Sequence, residues 1–418
     1  MALTLPFWPR VAGPPGSRSR RRHATRYAIL LVPLVALLAI ACGGGAEEAQ
    51  PTPTPSPTVA RPSPTPEPTP TATPTPEPAV QRIAYRGTDG SLWIMNADGS
   101  GQERLTDIPA SGRLHWSPDG SRIAFTSGST GDYGIYVMNA DGSNLTLLAE
   151  DIPASDLHWW SPDGTRIAIS SGGIYVINAD GSGHTRLDIA ASYVDWSPDG
   201  RWLALFAVLR ELGHSAEVSG MLADLQTTEV EPIDPDEQPI NETVTSPPIF
   251  SPTDASLLAY GSRLFDLTTG QERSLPGLAV SWSPDGQHLL LDMGGGPAQV
   301  YDVEGARAVL EFAIGFPGIG VPIWTLMRRQ TGWSPDSRFL ATYDVPTGTD
   351  ALGVLHVRDI DTGDQKTVSM ELPNLLQFSP DSRLLLFLGT DGIWVVGSDG
   401  TNLTLLAQGS QPAWQPQP

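Results

Sequence analysis

Seven histidines, one cysteine and a few grouped acids are the residues of this 418-residue chain whose types could do chemistry. The histidines are His23, His115, His158, His184, His214, His288 and His356. No two of them stand at the His-x-x-x-His spacing that presents both imidazoles to one metal ion. Gly213-His214-Ser215-Ala216-Glu217 comes nearest to a serine nucleophile elbow. Glu217, however, stands where a second glycine is needed for the tight strand-to-helix turn. Gly294-Gly295-Gly296 is too isolated to form a phosphate loop, and the recurring Asn-Ala-Asp-Gly-Ser is too short for a calcium loop. Cys42 is the only cysteine, so no disulfide can form within the chain. These patterns predict no catalysis and imply no metal or cofactor.

The elements that position the remaining polar residues are written in a repeat. Trp-Ser-Pro-Asp-Gly occurs at Trp116–Gly120, Trp160–Gly164, Trp196–Gly200 and Trp282–Gly286. Weaker copies begin at Phe250, Trp333 and Phe378, and Trp414-Gln-Pro is a worn eighth. About twenty residues after the first signature, apolar alternation leads into Asn-Ala-Asp-Gly-Ser at Asn96, Asn139 and Asn178, with Ser398-Asp399-Gly400 as a later relative. Asp-Gly between two short apolar runs predicts a primed hairpin turn. Pro-Asp-Gly after Trp-Ser predicts a second turn, with proline presetting φ. One unit therefore reads as four short strands rich in Ile, Val, Leu, Tyr and Trp.

A four-stranded sheet with two apolar faces cannot bury itself alone, and radial stacking around an axis solves that. The period, roughly thirty to fifty-five residues, suits propeller blades. The fold class is all-β: a β-propeller of four-stranded blades over residues 81–418. Eight first strands predict eight blades, with seven as the alternative because the Phe250 unit is short. The array begins at Arg82-Ile-Ala-Tyr, a second strand without its partner, and ends at Trp414, a first strand with nothing after it. Pairing of these two strands would close the ring and remove two open edges. The recurring Trp reads as a wedge between neighbouring blades. Asp119, Asp163, Asp199 and Asp285 read as residues that bond their own turns.

Trp-Ser-Pro-Asp-Gly, Ile123-Ala-Phe125 and Ile135-Tyr-Val-Met-Asn-Ala-Asp-Gly142 together resemble the WD-like repeat of TolB-type β-propellers. The resemblance spans roughly residues 82 to 418 and implies a ring used for protein–protein contacts in the cell envelope. First strands line the central channel in this architecture. His115, His158 and Asp195 then become candidate channel-lining residues, able to meet around a solute or metal or to stand as isolated polar groups.

Two insertions between blades stand out. Ala313 to Arg329 is strongly apolar, and its Phe316, Trp324, Arg328 and Arg329 are the candidate partner-binding residues, since aromatics with arginine anchor interfaces. The alternative is a plug over the channel mouth. Ile233 to Ser246, with Asp234, Asp236, Glu237 and Glu242, reads as a solvated excursion.

The first eighty residues read as an address and a tether. Arg18, Arg20, Arg21, Arg22 and Arg26 precede an apolar run of about fifteen residues, Tyr27 to Ala41, short for a membrane span and right for a signal core. Leu38-Ala39-Ile40-Ala41-Cys42 resembles the lipobox of a bacterial lipoprotein, in which Cys42 would carry the lipid. Residues 1–42 are thus a signal peptide. Residues 43–80, rich in Pro and Thr, form a disordered tether that proline keeps extended. The net charge is −21, and loss of the six arginines ahead of Cys42 would take the mature chain near −27. Such a surface repels phosphate backbones, which excludes nucleic acid as a partner. The sequence predicts a monomeric, lipid-anchored, extracytoplasmic propeller. It would bind a protein or peptide partner, with a solute- or glycan-binding sensor as the alternative and a glycan-active enzyme behind it.

Overall fold

A computed structural model describes residues 81–417, except 130–131, 153–157, 212–215, 237–239, 242–244, 295, 314–330, 345–352 and 371–373. Cys42, the signal segment and the tether lie outside the described residues, as do Phe316, Trp324, Arg328 and Arg329. The rest is eight antiparallel sheets that form an eight-bladed propeller. Seven blades are laid down in sequence order from innermost to outermost strand; blade 4 carries an additional pairing. Blade 2, for example, runs Leu114–Trp116, Arg122–Ser129, Asp132–Asn139 and Thr146–Ile152.

Blade 1 is the exception, and it closes the ring. Its innermost strand, Ser410–Trp414, comes from the end of the chain, and its other three strands come from the start of the array. Ile83 pairs with Trp414 and Ala84 with Ala413. The Phe250 unit has an innermost strand of only two residues, Ile249–Phe250, yet its blade is complete.

The core sits between blades. In each second strand the middle residues are fully buried on both faces, as with Ile123, Ala124 and Phe125 or Leu289, Leu290 and Leu291. Wedge tryptophans join the sheets by hydrogen bonds as well as by packing. The indole N–H of Trp160 donates to the His115 carbonyl of the preceding blade, at 3.1 Å. Trp116 reaches Ala413, Trp196 reaches Trp159, Trp282 reaches Ile249 and Trp414 reaches Gln377 in the same way, while Trp333 reaches the Ser281 hydroxyl. Arginine covers some of these rings: Arg122 lies 5.1 Å over Trp160 and Arg166 lies 5.0 Å over Trp196.

Turn chemistry explains the invariance of the pentapeptide along this chain. In Ser117-Pro118-Asp119-Gly120 the Gly120 N–H donates to the Ser117 carbonyl, and Gly120 takes a φ of 67°. The Ser117 hydroxyl donates to Asp119 and accepts from the Arg122 N–H. Asp119 also accepts from the Ser121 backbone. Asp163, Asp199 and Asp285 bond their turns likewise. The Ser117 hydroxyl bond is the main cause that holds the Asp119 carboxyl below its usual range.

Two expectations are corrected. The Asn-Ala-Asp-Gly-Ser hairpins are not primed turns. Gly99 donates to the Asn96 carbonyl and has a φ of 82°, while Ala97 and Asp98 keep negative φ. The loop is therefore an ordinary turn followed by one left-handed glycine. The acidic insertion is not simply a solvated excursion. Ile240–Asn241 adds an extra strand to blade 4, pairing with Val218 and Glu217. Asp234 accepts from Arg263 of blade 5 at 2.5 Å, and Ile233 packs against the neighbouring apolar clusters.

Candidate binding site in the central channel

The residue just before each wedge Trp or Phe faces the channel, because side chains alternate along a strand. Burial follows this rule in Leu114–Trp116 and His158–Trp160, where the middle residue is half-buried between two buried neighbours. Reading round the ring from blade 2 to blade 8 and then blade 1, this position holds His115, Trp159, Asp195, Ile249, Ser281, Gly332, Gln377 and Ala413, of which Ile249 is buried in an apolar cluster. One arc therefore carries an imidazole, an indole and a carboxylate on three successive blades. Much of the opposite arc is small.

These three side chains line one cavity of about 460 Å³ at the Trp-Ser-Pro end of the channel. Proline rings of the repeats (Pro162, Pro198 and Pro252) form its rim. A second cavity of about 310 Å³, toward the other end, is lined by Arg113, His115, Gln377 and Gln411. His115 therefore belongs to both. A larger hollow of about 510 Å³ lies among the outer strands of blades 5 and 6, away from the channel. Its two aspartates, Asp266 and Asp302, accept from the backbone N–H groups of their own turns.

The candidate residues divide by strand position. His115 faces the channel, half-buried. His158 sits one place earlier in its strand, where blades 2, 4, 6 and 8 have Leu114, Val194, Val280 and Leu376, and it is 0% exposed. It points at the neighbouring blade, and its ring centroid lies 4.6 Å from that of His115. Neither ring nitrogen of His158 has a partner of hydrogen-bond geometry. Burial lowers its pKa to about 4, with the Ala124 backbone pulling the other way and Arg113 adding a smaller repulsion. Burial also lowers the His115 pKa well below its ordinary value, helped by His158 and Arg113. Both rings are neutral at pH 7.

Asp195 has a joining role. Phe250 offers no indole N–H at the junction of blades 4 and 5, and there the backbone N–H of Phe250 donates to the Asp195 carboxylate at 2.7 Å. Tyr193 donates to the other carboxylate oxygen at 3.5 Å. Trp159 packs edge-on to Tyr193, with centroids 6.2 Å apart. Sequence reasoning passed over Trp159. The signal was the doublet Trp159-Trp160: the repeat assigns Trp160 to the wedge, which leaves Trp159 for the channel. Among the described residues no three His, Cys, Asp or Glu side chains converge to hold a metal ion, and no helix is long and apolar enough to cross a membrane.

Residues 65–263 match the TolB beta propeller domain family. No curated protein sequence matches the chain. Among solved structures, a eukaryotic initiation factor superposes with a TM-score of 0.53 at 14% identity, covering 81% of this chain and 99% of that one. Sqt1 of Saccharomyces cerevisiae gives 0.51 at 12%, covering 73% and 87%. An oligogalacturonate lyase in complex with manganese gives 0.50 at 15%, covering 77% and 95%. Identities this low show a common fold and leave activity open. Eight four-stranded blades in a ring closed by its two end strands make the chain a β-propeller that is similar, over residues 65–263, to the TolB beta propeller domain.

Proposed function

We propose that this protein is a non-catalytic binding scaffold, held outside the cytoplasm by a lipid on Cys42, that takes a protein or peptide partner in the cell envelope. The observation that supports it is the cavity walled by His115, Trp159 and Asp195, a concave site on a ring stiffened at six of its eight blade junctions by an indole hydrogen bond. Rigid walls lower the entropy lost on binding. An aromatic at the centre of a depression is the usual anchor of an interface. Phe316, Trp324, Arg328 and Arg329, in the sequence insertion before blade 7, are a second set of candidate partner-binding residues.

Site-specific photo-crosslinking in intact envelopes tests this reading. A photoreactive residue at 159 is expected to capture one discrete protein, and His115→Ala is expected to weaken the capture. Capture only from position 324, abolished by Arg328→Ala, would move the binding surface to the insertion. Absence of any adduct from either position would overturn the scaffold reading.

Trp159 also favours a second reading, a solute- or glycan-binding sensor, because an indole face at a channel wall stacks on the apolar face of a sugar ring as readily as on a side chain. A thermal-shift screen separates the two: stabilisation by a free sugar, lost in Trp159→Ala, would select the sensor.

A further inference from the structure

Four blades end in the same device: a turn, one residue with positive φ, then the outermost strand. The left-handed residues are Gly101, Asn144, Gly183 and Asn402, with φ of 65°, 54°, 54° and 58°. Glycine is the default at such a position, and asparagine is the side chain that tolerates it best. The outward positions that follow change with this choice. After Gly101 they are Gln102 and Arg104, and after Gly183 they are His184 and Arg186. After Asn144 they are Leu145 and Leu147, each 37% exposed; after Asn402 they are Leu403 and Leu405, each 41% exposed.

The second outward residue lies across from an aromatic of the third strand. Arg104 opposes Trp93 and Arg186 opposes Tyr175, and Arg186 stacks over its ring at 5.5 Å. Leu147 opposes Tyr136 and Leu405 opposes Trp394. In the first pair of blades, Arg186 covers its aromatic with a guanidinium, whereas the Arg104 guanidinium is held by Ser91, Asp89 and Asp107. The other two leave a leucine–aromatic patch facing water beside an exposed asparagine. In both of those the asparagine opens Asn-Leu-Thr, the acceptor pattern Asn-x-Ser/Thr. The threonine hydroxyls, Thr146 and Thr404, donate to the carbonyls of Asn144 and Asn402 at 3.2 and 3.0 Å, so the two tripeptides share one conformation.

We propose that Asn144 and Asn402 are N-glycosylated, and that the glycan lies over the leucine–aromatic patch, at the position where Arg186 covers Tyr175 in a sister blade. The donor is an oligosaccharide linked to a lipid pyrophosphate. The asparagine Nδ2 forms a bond to the sugar C1, the bond from C1 to the phosphate oxygen breaks, the lipid pyrophosphate leaves, and the amide gives up one proton. The proposal rests on export of the chain, since such transfer takes place on the outer side of the membrane. A third match, Asn241-Glu242-Thr243, follows a strand pairing rather than a left-handed turn and carries no part of the argument.

Mass spectrometry of the full chain, purified from the envelope fraction of the cells that make it, tests this. Electron-transfer fragmentation is expected to place sugar mass on Asn144 and on Asn402. Thr146→Ala should abolish the modification at Asn144 and Thr146→Ser should retain it. Asn144→Gly should remove it without disturbing the turn, because Gly101 and Gly183 already hold that conformation. The double variant Asn144→Gly/Asn402→Gly should bind more of an apolar dye than the wild type while melting as cooperatively. Recovery of both peptides unmodified from the envelope, or sugar mass placed on Thr146 in place of Asn144, would overturn the proposal. Recovery of the chain only in the cytosol would overturn the export reading and this proposal together.

Discussion

His158 is a histidine held far from its ordinary chemistry. It fills a slot that holds leucine or valine in sister blades, neither ring nitrogen has a partner of hydrogen-bond geometry, and its pKa falls to about 4 from 6.5. The unfolded chain takes up this proton near pH 6.5, and the folded chain does so only near pH 4. Stability is therefore fully present above pH 6.5 and is lost as pH falls from there toward 4, by roughly 3 kcal/mol for a shift of this size. His115, shifted in the same direction, steepens the loss. Urea unfolding measured across pH 7 to 4 is expected to show this decline. His158→Leu, which copies Leu114 of blade 2, should flatten the curve and leave the chain at least as stable at pH 7. An unchanged pH slope in the variant would show that the proton is taken up elsewhere. The turn aspartates act at lower pH. Asp119 gives stability present above pH 3.8 and lost as pH falls below it, so the two effects separate on one titration.

At the scale of the strand and turn, the pentapeptide couples a turn within one blade to a joint with the previous one. Serine and aspartate satisfy the turn, and tryptophan reaches across. Trp160→Phe keeps the ring but removes the N–H that His115 accepts, and it trims the surface under Arg122. A loss of about 1–3 kcal/mol is expected in urea unfolding. Trp159→Phe, one residue away but facing the channel, should cost less than half as much. Equal losses would mean that the wedge bond adds little. The division of a unit into four short strands was legible in the sequence, because turn chemistry punctuates strands such as Arg166–Ser170, Ile174–Asn178 and His184–Leu187 on both sides. The hairpin type was not legible. Asp-Gly announces one positive φ, and whether the preceding residue shares it depends on the register of the flanking strands. The strand at Ile240–Asn241 was illegible for a related reason: two residues gain strand geometry only from the edge they dock on.

Across the whole molecule, stability depends on the meeting of the two ends of the array. Ser410–Trp414 pairs with Arg82–Arg86, and Ala413 accepts the indole of Trp116 on blade 2. Deletion of residues 410–418 would open an edge at blade 1 and strand that indole. Its cost should exceed that of any single wedge substitution, above about 4 kcal/mol, with a lower midpoint in thermal unfolding and self-association in size-exclusion chromatography. A truncated chain that melts like the full one would show that closure is dispensable.

Repetition along the sequence determined the architecture. A tryptophan at a fixed repeat position, short apolar runs and punctuating glycines leave one economical way to bury four-stranded sheets, and the mismatched first and last strands foretell closure. The channel was decided only in three dimensions. His115 and His158 are one residue out of step within their strands, so alternation sends one to the channel and the other into the core, yet the packing of adjacent blades brings their rings together. Asp195 becomes a joint because Phe250, distant in sequence, lacks an indole N–H. Strand periodicity is a local property that sequence carries directly. Contacts between blades arise from the closure of the ring, and no single repeat contains them.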